Sequence, residues 1–134
     1  MMTQEEKMLL IKDLSSRLPY AVHVQHISGF SGILHNISIH HKYDENDNIC
    51  DAICYTDFLG DGDNITIEQF KPYLFPLSSM TDEQEKEYNN LNCYELGCFP
   101  HSEEALDYLI KNHFDYRNLI DKNLAIDATG LNIY

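Results

Sequence analysis

Cys93, Cys98, His101 and His113 form a Cys-x4-Cys-x2-His-x11-His series. Two thiolates and two imidazoles suit Zn²⁺, and four such ligands would close a tetrahedral structural site. The spacing is not that of a standard zinc knuckle, and His113 also fits the inner face of a helix. The competing reading is a pair of loop thiols and a packed histidine. Asp57, Asp61, Gly62 and Glu68 fall at positions 1, 5, 6 and 12 of a calcium loop, but Leu59 and Asn64 occupy positions 3 and 8. An acidic hairpin turn accounts for that segment better. His40 and His41, with Asp44 nearby, would converge on an ion only in a bend, because adjacent strand residues point to opposite faces. His113 and Asp115 read either as an acid/base pair or as a core histidine beside a loop cap. Cys50 and Cys54 lie on a predicted strand, roughly 13 Å apart on one face, too far to share a metal or a disulfide.

The chain has no Gly-rich phosphate loop, nucleophile elbow or His-Glu-x-x-His. The sequence therefore leans away from an enzyme, and no cofactor is expected. A small enzyme or metal-binding protein using the dispersed His, Asp and Cys residues stays open as the alternative.

The elements that would position these residues are legible from periodicity. Thr3 and Glu6 form a capping box for a helix over 4–17, with Met8, Leu10, Ile11, Leu14 and Leu18 as its apolar stripe. The period then shortens to two. Strands over 22–27 and 33–40 flank a Ser28-Gly29 turn, a third strand covers 49–58, and a fourth covers 65–68. Residues 71–76 are extended, with Pro72 and Pro76 blocking helix. A second capping box at Thr81 and Gln84 opens a helix over 82–91. Ser102 opens a third, with Ala105, Leu106, Leu109, Ile110 and His113 on its inner face. Asp115 caps a short fourth helix carrying Leu119 and Ile120, stopped at Asn123. The predicted fold is α+β, a single domain over 1–134. It has an N-terminal helix, a four-stranded antiparallel meander with the option of curling into a small barrel, and two to three C-terminal helices.

The 134 residues carry 22 acids against 9 Lys and Arg, a net charge of −13. The only arginines are Arg17 and Arg117. This balance opposes direct contact with nucleic acid or anionic membranes, which need clustered cations. Seven acids lie in residues 44–63, which hold no Lys or Arg, and seven in residues 82–104, where Lys86 is the sole cation. Such windows are either a solvated surface or a patch that steers a basic partner. The start of the sequence shows no signal peptide, no apolar run is long enough to span a bilayer, and four cysteines without a secretion signal read as thiols. A cytoplasmic location is expected. Nine tyrosines accompany no tryptophan. Tyr73, Phe75 and Tyr88 flank the Pro-rich extended segment, where they form a partner-binding ridge or pack that segment onto the sheet.

Three stretches carry a resemblance: Arg17-Leu-Pro-Tyr20; Phe70-Lys-Pro-Tyr-Leu-Phe-Pro-Leu-Ser-Ser-Met-Thr81; and His113-Phe-Asp-Tyr-Arg-Asn-Leu-Ile-Asp-Lys-Asn-Leu-Ala-Ile-Asp127. Together they resemble a family of small proteins of no known activity from Bacteroides-type gut bacteria and their phages or mobile elements. The likeness covers the beginning, middle and end of the chain, not residues 22–67. It implies an accessory or mobile-element protein and brings no catalytic residue or cofactor with it. The expected function is a non-enzymatic, acidic protein-interaction module with a basic protein as partner. Its oligomeric state is not indicated.

Overall fold

The computed structural model describes residues 2–43, 48–56, 63–92 and 103–134. Helix α1 spans Gln4–Arg17 and opens on the expected reciprocal cap: Glu6 N donates to Thr3 Oγ1 at 3.1 Å, and Thr3 N donates to Glu6 Oε1 at 3.0 Å. Leu10, Ile11 and Leu14 are buried against the sheet, while Met8 stands in solvent. A 3₁₀ turn at Leu18–Tyr20 and a left-handed Ala21 (φ 54°) then redirect the chain.

Strands β1 (His23–His26), β2 (Ser31–Tyr43), β3 (Asn48–Thr56) and β4 (Asp63–Thr66) pair antiparallel in sequence order. Gly29, at φ 102°, makes the β1–β2 turn in a conformation that side chains resist. Cys54 stands opposite Ile37 and Ala52 opposite Ile39, and this face of β3 meets α1. On the other face Ile53 and Tyr55 are exposed.

The sheet does not stop there, which corrects the predicted four-stranded meander. β5 (Phe70–Pro76) takes the free edge of β1, with Gln25 opposite Lys71 and Val24 opposite Pro72. Two further strands pair parallel to the second half of β5: β6 (Phe114–Asp115) beside Phe75 and Pro76, and β7 (Ile126–Asp127) beside Tyr73 and Leu74. The result is a seven-stranded mixed sheet in the order β4-β3-β2-β1-β5-β6, with β7 also on β5. Prolines exclude helix but tolerate a strand wherever their missing N–H is not needed. Two-residue parallel strands leave no periodic trace in a sequence.

Helices α2 (Asp82–Asn92) and α3 (Glu103–Lys111) form as expected and pack together. The fourth helix does not form. Asp115 does accept from the backbone N–H groups of Leu119 and Ile120, each at 2.9 Å, but the chain takes left-handed φ at Asn118 (60°) and Asn123 (61°). A right-handed helix cannot propagate through those residues, so residues 116–125 remain turns and bends. The α+β class stands; the sheet is larger and of mixed direction.

Candidate functional site

Asp13 and Arg17 stand one helical turn apart on α1, and both are fully buried. Arg17 Nε donates to Asp13 Oδ2 at 2.8 Å, and its Nη2 donates to Asp13 Oδ1 at 3.2 Å and to the Phe114 carbonyl at 2.6 Å. The guanidinium thus ties α1 to β6. Arg117 brings the second arginine of the chain to the same carboxylate: its Nε lies 3.3 Å from Asp13 Oδ1, in ion-pair range but without hydrogen-bond alignment. Tyr116 shares the excess positive charge, its ring centroid 4.8 Å from the Arg117 guanidinium and 5.8 Å from that of Arg17. Nη1 of Arg17 is buried and meets no acceptor among the described residues.

His113 sits beside this cluster. It ends α3 in a left-handed conformation (φ 62°), with its N–H donating back to the Ile110 carbonyl at 3.1 Å and its own carbonyl accepting from Phe75 N at 2.8 Å. Its ring stacks on Tyr134, with centroids 3.7 Å apart and planes 12° from parallel. Burial, then the charge of Arg17, then His23, push its pKa down to about 4, so the imidazole is neutral at physiological pH. Its Nδ1 is buried without a partner.

Tyr134 keeps 42% of its surface exposed, yet its hydroxyl lies inside: it accepts from His23 N at 2.9 Å and donates to the Tyr73 carbonyl at 2.7 Å. His23 and Tyr73 are the next pair beyond Val24 and Pro72 in the β1–β5 ladder. The hydroxyl therefore stands where the next ladder hydrogen bond would form. Burial raises the phenol pKa well above its ordinary value, against the smaller lowering influences of the His23 N–H and Arg17. A cleft of about 310 Å³ opens beside this pair, lined in part by Phe75, Gln84, Lys111, Asn112, His113 and Tyr134.

Of the zinc series, only His113 lies among the described residues; Cys93, Cys98 and His101 lie outside them. Among the described residues no group of three or more His, Cys, Asp or Glu side chains could hold a metal ion. Asp57, Asp61 and Gly62 of the calcium-loop pattern also lie outside, as do Asp44 and the side chains of His40, His41 and Cys50. The elements flanking residues 57–62 are paired strands, not helices, and Glu68 is in an ion pair with Lys7 at 3.2 Å. Cys54 is buried in the core. His113 and Asp115 are both buried and separately engaged, the first by Tyr134 and the second by backbone N–H groups.

Tyr73, Phe75 and Tyr88 do not make one exposed ridge. Tyr73 is buried with its hydroxyl 3.0 Å from Ser31 Oγ. Phase along β5 puts Phe75 on the same side, half-buried against Phe114 and Tyr134, and Tyr88 is half-buried against Tyr108. The residues that sequence reasoning missed are Asp13, Arg17, Arg117 and Tyr134. A signal for the first two was present: Leu10, Asp13, Leu14 and Arg17 repeat at helical spacing, so the charged pair falls on the buried stripe.

The second charged region is the α2–α3 pair. Asp82, Glu83, Glu85 and Glu87 on α2, and Glu103, Glu104 and Asp107 on α3, are all exposed. With Lys86 and Lys111 as the only cations, the two helices carry seven acids against two lysines, a net charge of −5. Tyr88 and Leu91 turn inward, and Glu87 bonds to Tyr108, raising the phenol pKa behind the larger effect of burial. No described helix is long and apolar enough to cross a membrane. No protein-family model, no curated protein and no solved structure matches the chain.

Proposed function

We propose that the protein is a non-enzymatic interaction module that presents its acidic α2–α3 face to a basic protein. The observation carrying this reading is the exposure of all seven acids of the two helices beside only two lysines. Glu87 bonds Tyr108 of the neighbouring helix, and Asp82, Glu83 and Glu85 lie in the first turn of α2, where negative charge suits the helix dipole and still faces solvent. A concentrated negative surface accelerates encounter with a cationic surface and disfavours partners of like charge. A basic host protein in the cytoplasm is the class of partner that fits.

The test compares the native chain with a Glu83→Lys/Glu85→Lys variant. Each is used to capture and cross-link polypeptides from a lysate at about 0.05 M and about 0.5 M salt. The native chain should recover basic polypeptides at low salt only, and the variant should lose them. Equal recovery by both chains, or none by either, would refute the reading.

A further inference from the structure

We propose that the cleft between the end of α3 and the C-terminal segment is a binding site for a small aromatic carboxylate. Two of its lining residues, Gln84 and Lys111, belong to the acidic α2–α3 pair, but its occupancy does not depend on a protein partner. At about 310 Å³ it lies at the small end of ligand-sized sites. In a chain of net charge −13, no acidic side chain among the described residues lines it, and Lys111 is the one charged side chain among them that does. Lys111 is exposed and has no ion-pair partner among the described residues.

The neighbouring polar groups are disposed to donate. Gln84 Oε1 accepts from Thr81 N at 2.9 Å, which commits the amide oxygen and leaves the NH2 group for the cleft. The His113 imidazole, neutral at physiological pH, lines the cleft beside it. Behind the imidazole, the Arg17 charge acts on both His113 and Tyr134 in the sense that favours an anion. Phe75 and Tyr134, with ring centroids 5.7 Å apart and planes at 54°, give the cleft its apolar wall. An ammonium and an amide NH2 suit a carboxylate, and tilted aromatic rings suit a flat apolar body.

The experiment is an amide NMR titration of the native chain with benzoate, benzamide and acetate. Benzoate should produce saturable shifts confined to residues around 75, 79 and 84 and to 111–114 and 129–134. Benzamide, which keeps the ring and loses the charge, should bind about fivefold more weakly, and acetate more weakly still. Lys111→Met, a substitution at an exposed position, should bring benzoate down to the benzamide level and leave benzamide unchanged. The proposal fails if benzoate and benzamide bind equally or neither saturates. It also fails if the shifts map instead to the 400 Å³ cleft beside Lys71 and Lys122.

Discussion

At the end of α1, three charged side chains share a volume that water scarcely reaches, whereas along α2 and α3 seven acids stand in solvent beside two lysines. In the first region each charge has a direction. Asp13 faces two arginines, and Arg17 spends its remaining Nη2 bond on the Phe114 carbonyl, 97 residues away. In the second region the acids are mostly uncommitted. Burial makes a charge specific, because a stranded ion costs several kcal/mol and only one arrangement avoids it. Exposure makes a charge cheap to keep and effective at a distance. The first region ties α1 to β6, and the second is the face proposed to meet a partner.

The sharpest way to break this contrast is Asp13→Ala, which removes the carboxylate shared by Arg17 and Arg117. The expected loss is about 3–5 kcal/mol, read by urea unfolding. A loss below about 1 kcal/mol would put this cluster in the same class as a surface ion pair.

A smaller effect is expected from acid. His113 has a folded pKa of about 4, below its ordinary 6.5. The unfolded chain therefore binds the proton first, so the stability that His113 contributes is complete above pH 6.5 and is lost as pH falls through 4. About 2 kcal/mol should disappear across that window, allowing for partial solvent screening. His113→Asn suits the left-handed backbone and should flatten this part of the pH profile. An unchanged profile in the variant would assign the slope to other groups.

The least effect on stability is expected from Glu83→Gln/Glu85→Gln on α2. Thermal unfolding should shift by the equivalent of about 0.5 kcal/mol or less, while the salt dependence of binding a basic partner should weaken. A large stability loss would mean that the acidic face is structural after all.

The parts of the fold legible in the sequence are those built from local periodicity. α1 is readable from Thr3, Glu6 and its apolar stripe, and the β1–β4 pairing from alternation around Gly29 and the Gly60-Asp-Gly-Asp-Asn64 turn signal. The addition of β5, β6 and β7 is not. Those strands meet through contacts between residues 70–76, 114–115 and 126–127, and two residues cannot display a period. The same reason hid most of the buried cluster. Asp13 and Arg17 share a helix and were in principle visible, but nothing local connects them to Arg117. His113 was placed correctly inside. The left-handed turn that gives it Tyr134 as a neighbour instead of the α3 stripe has no sequence pattern for histidine.

The hydroxyl of Tyr134 between His23 and Tyr73 also bears on the order in which the chain assembles. Its two hydrogen bonds span 111 and 61 residues, so closing them requires most of the loop entropy to have been spent already. That contact belongs to the late side of the folding barrier. Tyr134→Phe should speed unfolding several-fold and leave the refolding rate nearly unchanged, as read from the two arms of a denaturant chevron. Slowed refolding would instead make the tyrosine part of the nucleus. The β1–β5 seam is then a latch, fastened last by a side chain and the first to come undone.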